Sequence, residues 1–111
     1  MPAPKARPHP SPASELMRLK PGCDLVASTV EAERASFKRA LETKPKKLVL
    51  DLTGVSQIDS LGITLILGLY KSCQRLGIPF AVEEAAPEIL RLFKLFSIHK
   101  LMPVSEASSH E

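Results

Sequence analysis

The segment at residues 47–52 constrains the fold more than any other part of this sequence. It reads Lys-Leu-Val-Leu-Asp-Leu and is almost continuously apolar. A short run of this kind is typical of a strand that is covered on both faces, as strands of parallel sheets are. A chain of 111 residues has room for one domain built around such a sheet.

Helical patterns flank this strand on both sides. Ser28 or Thr29 can cap a first helix, and Pro45 ends it. The apolar side of that helix comprises Val30, Phe37, Ala40 and Leu41. A second helix is predicted from about Ser60 to Leu76, with Gly77 closing it in the position where a left-handed residue is favoured.

The remaining elements are shorter. Pro87 suits the first position of a third helix. Its predicted inward face comprises Ile89, Leu92, Phe93 and Phe96. Residues 78–82 form a second buried strand, and residues 101–104 can form a last short one. Residues 16–19 and 23–27, separated by Pro21 and Gly22, predict a hairpin.

This alternation of strands and helices predicts an α/β domain with right-handed crossovers. Five of the ten prolines fall within the first twelve residues, so residues 1–13 are expected to form a disordered Pro-rich tail. The domain is then expected over residues 14–104, followed by a flexible C-terminal tail at residues 105–111.

Composition excludes several classes of function. Aromatic residues make up 5% of the chain and Trp is absent, which argues against base stacking on nucleic acid. The net charge of +3 includes Lys5 and Arg7 of the N-terminal tail, so the domain itself is nearly neutral. No apolar stretch approaches the roughly 20 residues that span a bilayer. We therefore expect a cytoplasmic protein without direct contacts to nucleic acid or membrane.

A basic cluster surrounds the first helix and comprises Arg34, Lys38, Arg39, Lys44, Lys46 and Lys47. Glu31, Glu33 and Glu42 interleave with it, which favours a solvated helix face over a phosphate-binding groove. The cysteines and histidines are scattered, so no metal site is predicted.

The sequence Asp59-Ser60-Leu61-Gly62 opens the second helix. Asp59 can cap the first turn, and Ser60 would then present its hydroxyl at the exposed helix start. A phosphate there would meet the positive end of the helix dipole, but also the like charge of Asp59. Gly62 is a poor helix former, which suggests a close approach at that point. The alternative is that Asp59 and Ser60 are an ordinary helix cap without further function.

The second helix is apolar on two sides. One stripe, suited to the sheet, comprises Leu65, Ile66, Leu69, Cys73 and Leu76. Ile63, Leu67 and Tyr70 form a second stripe at i, i+4 and i+7. That stripe packs either against a neighbouring helix of the same domain or against a partner.

Residues 48–67, with Asp51-Leu52, Ile58-Asp59-Ser60 and Gly62, resemble a STAS domain. The resemblance continues through residues 77–80 and 86–104, and it is greatest to stand-alone anti-sigma factor antagonists. It implies a single domain with a mixed sheet of four or five strands and helices packed on one side.

The resemblance also implies a mechanism. An antagonist of this kind binds an anti-sigma serine kinase when it is unphosphorylated and thereby frees a sigma factor. Phosphorylation of the serine matching Ser60 releases the kinase, and a serine phosphatase resets the switch. Asp59 and Gly62 match the residues that support the switch, and the helix surface around Leu61, Thr64 and Gly68 would contact the partner. No enzymatic activity and no cofactor are implied, and we expect a monomer or weak dimer.

The chain departs from the family pattern in three places. In the first strand pair, Gly22-Cys23-Asp24 only nearly matches the usual glycine followed by an acidic residue. Leu61 places a bulky apolar group beside Ser60, and Ser97 stands where a glycine commonly ends the third helix. Because some STAS domains are never phosphorylated, a constitutive interaction module of a signalling or lipid-transport complex is the alternative function.

Two other classes fit less well. Asp51 follows a buried strand, as a receiver phosphoacceptor would, but the expected acidic pair is reduced to Asp24. A nucleophilic role for Ser60 would need a base, and no histidine lies in a segment that obviously approaches it.

Overall fold

The computed structural model describes residues 16–107 as a four-stranded sheet with three α-helices. The strands are β1 (Leu16–Leu19), β2 (Lys47–Asp51), β3 (Phe80–Ala85) and β4 (Val104–Glu106). The helices are α1 (Val30–Glu42), α2 (Ser60–Leu76) and α3 (Pro87–Leu95), with a short 3-10 turn at Ile98–Lys100. The predicted tails lie mostly outside the described residues, although β4 extends two residues beyond the boundary set at position 104.

The strands lie in the sheet in their order along the chain, β1-β2-β3-β4, and each neighbouring pair is parallel. The α/β domain is therefore confirmed, but the described strands form a parallel sheet rather than a mixed one. The predicted hairpin is wrong. Residues 23–27 form no strand beside β1, and only Leu25 makes an isolated parallel bridge, with Ile58. β1 is instead continued by α1, which carries the chain over to β2 as a parallel crossover.

This strand order places the helices on one face. Three successive right-handed crossovers that advance in the same direction must all lie on the same side of a sheet. Every second residue of each strand therefore faces the helices, and these residues form one core together with the helices. The sheet contributes Met17, Leu19, Leu48, Leu50, Phe80 and Val82 to that core. On the other face β2 is also covered, since Val49 is only 1% exposed, in keeping with the apolar run that defined this strand.

The helices begin and end close to the predicted residues, but the predicted side-chain cap of α1 is not formed: the Thr29 hydroxyl instead donates to the Asp24 carbonyl at 2.6 Å. α1 begins after Thr29, and the chain leaves it through Lys44 in a left-handed conformation just before Pro45. α2 begins after Asp59 and ends at Gly77, which has φ 74°. α3 begins at Pro87, as predicted.

The predicted inward face of α3 needs one correction. Ile89 and Phe93 are buried, and Leu92 is half-buried against the core. Phe96 is 57% exposed, because it caps the helix and the chain turns away at Ser97. The second stripe of α2 packs within the domain: Ile63 is buried, and Leu67 and Tyr70 are half-buried against the core.

Candidate functional site

Two loops meet at the edge of the sheet where β1 and β2 end. The first loop (residues 20–29) leads into α1, and the second loop (residues 52–59) leads into α2. Their backbones join through the Leu25–Ile58 bridge, in which the Leu25 N–H donates to the Gln57 carbonyl at 3.0 Å. The Asp59 N–H donates to the Leu25 carbonyl at 3.2 Å. In open α/β sheets ligands and partners commonly bind at this carboxyl end of the strands.

A carboxylate from each loop binds the backbone of the other loop. Asp24 Oδ1 accepts hydrogen bonds from the backbone N–H groups of Ser56 at 2.8 Å and Gln57 at 3.1 Å. Asp59 Oδ2 accepts one from the N–H of Ala27 at 3.0 Å in the first loop. The two loops are therefore linked in both directions, and the start of α2 is held against the first loop.

Asp59 also caps α2. Its other oxygen, Oδ1, accepts from the N–H groups of Leu61 and Gly62, each at 3.0 Å. Hydrogen bonds from backbone N–H groups, that of Gly62 foremost, lower the pKa of Asp59 below its usual value. The bonds from Ser56 and Gln57 lower the pKa of Asp24 in the same way. Both side chains are thus ionised at neutral pH.

Gly62 lies where the two loops and α2 come closest together. A Cβ at this position would overlap the Leu25 carbonyl oxygen and lie 2.7 Å from Cγ2 of Ile58. Only glycine therefore lets the first turn of α2 pack against the bridge between the loops. This is the physical reason for a helix-breaking residue one turn into a long helix.

Ser60 is the first residue of α2, and it is exposed. Leu61 beside it is 48% exposed and lies outside the core. Thr64 and Gly68 are also exposed, and they follow Leu61 at intervals of one helical turn. The structure thus brings the predicted interface residues onto one accessible face of α2 that begins at Ser60.

A shallow cleft borders this site on the α3 side. It has a volume of about 270 Å³ and lies between the two loops and α3. Its walls are formed by Val26, Ser56, Gln57, Ile58, Asp59, Glu88, Ile89 and Leu92. Glu88 and Asp59 both line this cleft, so it carries two carboxylates and no basic side chain.

Asp51, the candidate receiver phosphoacceptor, is held by other groups. Its Oδ1 accepts from the backbone N–H and the hydroxyl of Thr53, at 2.9 and 2.6 Å, and its Oδ2 accepts from Arg18 at 3.0 Å. Burial, the largest single influence, acts to raise its pKa, but the bonds from Thr53 and Arg18 outweigh it and the pKa is lowered. Arg18 also binds Glu83 at 2.9 Å. Asp51 is therefore a structural residue: through Arg18 of β1, which binds both Asp51 of β2 and Glu83 of β3, it belongs to a link across three strands on the face away from the helices.

Sequence reasoning placed Asp59, Ser60 and Gly62 but gave Asp24 no role in the site. The available signal was an acidic residue two positions after Gly22, in a loop that follows a strand. That signal does not identify Ser56 and Gln57, the distant residues whose N–H groups donate to Asp24. Within residues 16–107, no three His, Cys, Asp or Glu side chains form a group that could hold a metal ion. Nor does any helix in this part of the chain have the length and apolar character needed to cross a membrane.

The sequence of this chain matches a known protein family. The model of the STAS domain family matches residues 13–110. The chain belongs to the STAS domain family. An anti-sigma F factor antagonist from Paenibacillus polymyxa is 30% identical to this STAS domain over 77 residues. The match covers 68% of this chain and 66% of that relative, just under two thirds of its length.

Solved structures share the STAS fold at low sequence identity. An anti-sigma factor antagonist from Mycobacterium paratuberculosis superposes with a TM-score of 0.75 at 19% identity, over 89% of this chain and 84% of that one. A sulfate transporter family protein from Wolinella succinogenes superposes with a TM-score of 0.69 at 14% identity, over 93% and 84% of the two chains. The fold is thus common to proteins of both kinds and does not by itself decide between their functions.

Proposed function

We propose that this STAS domain is an anti-sigma factor antagonist that acts by partner switching. In its unphosphorylated form it binds an anti-sigma serine kinase in the cytoplasm and so frees a sigma factor. Phosphorylation at Ser60 releases the kinase, and a serine phosphatase restores the binding form. The observation that carries this proposal is the exposed Ser60 hydroxyl at the start of a helix that Asp59 and Gly62 hold in a fixed position.

The contacts of Asp59 support a switch that acts on the partner rather than on the fold. A phosphoserine carries a charge of about −1.5 to −2 and seeks free N–H groups at a helix start. Here the N–H groups of Leu61 and Gly62 already donate to Asp59. A phosphate on Ser60 would therefore stay exposed beside a like charge, and the loops would keep their contacts.

The same arrangement explains how a single phosphate could end binding. The partner surface proposed here includes Leu61, Thr64 and Gly68, and an interface over an exposed leucine excludes water. Burying an uncompensated charge in such an interface costs several kcal/mol, and 1.4 kcal/mol already weakens binding about tenfold. The STAS domain acts in this scheme as a regulator without catalytic groups or a cofactor of its own.

The test is to capture partners on the immobilised protein from a lysate of its own cells, with and without ATP. We expect a protein with a serine-kinase ATPase domain that leaves the column when ATP is added, and mass spectrometry should then find one phosphate on Ser60. Ser28, an exposed serine just before α1, provides the matched control. Ser28→Ala should be phosphorylated and released like the wild type, whereas Ser60→Ala should retain the partner.

Binding of the purified partner to Ser60→Asp and Ser60→Ala completes the test. Ser60→Asp should weaken binding at least tenfold and Ser60→Ala should bind as the unmodified protein does. Equal binding of both variants, together with a partner that ignores ATP, would assign the domain to the constitutive interaction modules. Asp59 and Ser60 would then serve only as a helix cap.

A further inference from the structure

A second surface of the domain lies away from the two loops, between α1 and α2. It is a groove of about 520 Å³, which we call the α1–α2 groove. Its apolar floor and walls comprise Phe37, Leu41, Leu65, Leu69 and Leu76. Leu76 is 48% exposed and Leu41 is half-buried, so the groove offers apolar contact area that the domain itself does not cover.

The rim of the α1–α2 groove is basic. Arg34, Lys38, Lys44 and Arg75 line it, against a single carboxylate, that of Glu42. Part of the basic cluster predicted as a solvated face of the first helix therefore borders an apolar depression. Arg34 contacts Glu31 at 3.4 Å, but both side chains are more than half exposed, so this pair leaves the guanidinium accessible.

Gly68 leaves an opening in the α2 wall of the groove. A Cβ at Gly68 would meet no atom within 4 Å, so packing within the domain does not require glycine there. Glycine in a helix interior costs about 1 kcal/mol relative to alanine. At Gly62 the close approach of Leu25 explains that cost, but no contact of the described chain explains it at Gly68. The missing side chain lets the backbone of another molecule come close to α2.

We propose that the α1–α2 groove binds an acidic amphipathic helix of a partner protein. The lining runs from Arg34 to Glu42 on α1, with Lys44 just beyond the helix, and from Leu65 to Leu76 on α2, which corresponds to about 12 to 17 Å at 1.5 Å per residue, or two to three helical turns. A helix of that length places apolar residues at i, i+3 or i+4 and i+7 on the floor. Its Glu and Asp residues would then face the four basic side chains of the rim.

Other occupants match the groove less well. Nucleic acid would leave the apolar floor without a partner. The chain's own residues 1–15 contain two basic residues, Lys5 and Arg7, and one acidic residue, Glu15, so their net positive charge would repel the basic rim. Residues 108–111 contain no large apolar side chain that could fill the floor. The exposed apolar end of α3 in a second copy would bring Lys94 toward a rim that is already basic.

This proposal goes beyond the switch at Ser60. Because Gly68 lies both in the groove and in the partner surface proposed for the kinase, the two are separated by Lys38 and Arg75, which belong to the groove alone. The probe is a surface-displayed library of 14-residue amphipathic helices, with apolar residues varied on one face and Glu, Lys, Gln and Ser varied on the other. Selection against the wild-type protein should enrich helices with Glu beside the apolar face. Their affinity should fall at least tenfold for Lys38→Glu/Arg75→Glu, and also when salt is raised from 50 to 500 mM.

Three further variants locate the binding site. Arg91→Glu/Lys94→Glu makes the same change of charge on α3 and should leave the affinity unchanged. Gly68→Gln adds a neutral side chain at the opening and should weaken binding at least tenfold. Ser60→Asp should bind the selected helices as the wild type does, whatever its effect on the kinase. Circular dichroism of each variant confirms that it is folded.

Four outcomes would overturn the proposal. The library could yield no binder, or it could enrich basic or neutral helices. The selected helices could also bind equally to the groove variants, or lose binding with Ser60→Asp, which would place them on the switch surface. None of these outcomes affects the test of Ser60 phosphorylation, and a failure of that test would leave the groove result standing.

Discussion

Replacing Gly62 and Gly68 by alanine, one at a time, should change the stability of the domain in opposite directions. Both residues lie within α2, so both variants gain the helix propensity of alanine, about 1 kcal/mol. At Gly68 the added methyl group meets no atom within 4 Å, and the whole gain should be retained. We expect Gly68→Ala to stabilise the domain by about 0.5 to 1 kcal/mol.

At Gly62 the methyl group would overlap the Leu25 carbonyl oxygen and crowd Ile58. Overpacking of this kind costs about 1 to 3 kcal/mol. Moving Leu25 also weakens the hydrogen bond that its carbonyl accepts from Asp59, which adds about 0.5 to 1.5 kcal/mol. After subtraction of the helix gain, Gly62→Ala should destabilise the domain by about 2 kcal/mol.

Urea unfolding followed by circular dichroism at 222 nm measures both effects. With an m value of about 1 to 2 kcal/mol per M for a domain of this size, the midpoint should fall by about 1 to 2 M for Gly62→Ala and rise for Gly68→Ala. A Gly62→Ala protein as stable as the wild type would refute the close approach. Higher midpoints for both variants would show that helix propensity alone decides the result, and a lower midpoint for Gly68→Ala would contradict the open space at that position.

Three other results are expected. Ser97→Gly should raise the free energy of unfolding by about 0.5 to 1 kcal/mol, seen as a higher Tm, because Ser97 has φ 60° and glycine adopts that conformation without steric cost; an unchanged or lower Tm would contradict this. Hydrogen bonds lower the folded-state pKa of Asp24 and Asp59. The stabilisation that these two carboxylates give the folded domain is therefore complete above about pH 4, the pKa of an aspartate in the unfolded chain, and it is lost as the pH falls through the lower pKa of the folded state. Urea titrations between pH 7 and 3 should show this loss, and Asp24→Asn/Asp59→Asn should flatten it. Burial raises the pKa of Cys73 to about 11. At pH 8 a thiol reagent should therefore label the half-buried Cys23 first and Cys73 only at the rate of unfolding. Rapid labelling of both cysteines would contradict the burial of Cys73.

The helices could be predicted from the sequence because their ends are encoded locally. Asp59 and Gly77 bound α2, and Pro87 starts α3, each through its own side chain or backbone preference. The prediction that Phe96 lies on the inward face of α3 was wrong, because the helical periodicity of the sequence continues past the point where the chain leaves the helix. That departure happens at Ser97, whose left-handed conformation is not typical of serine.

Pairing between distant segments could not be predicted in the same way. A strand, a Pro-Gly pair and a second apolar stretch look like a hairpin when only neighbouring residues are considered. The second stretch instead meets residues 56–59, because Asp24 binds the N–H groups of Ser56 and Gln57 and Leu25 bridges to Ile58. The same limit applies to the α1–α2 groove, which exists only once two helices are packed side by side.

The site at Ser60 was partly predictable for the same reason. Its cap and its glycine lie within four consecutive residues, so the sequence analysis found them. The contact that gives Gly62 its purpose comes from Leu25, far away in the chain. The low helix propensity of glycine indicated that something approaches Gly62, and only the fold identifies Leu25 as the residue that does so.

The strand order has a consequence for how the domain can assemble during synthesis. Leu19 pairs with Leu50, Leu50 with Val82, and Val82 with Val104, so every pairing joins a strand to the next one along the chain. No strand has to wait for a later segment to be inserted between it and its neighbour. A nascent chain that has emerged as far as β3 already contains both loops, α2 and the two strands that support them. The strand pairings that support the surface around Ser60 can therefore begin to form before α3 and β4 emerge from the ribosome and complete the core.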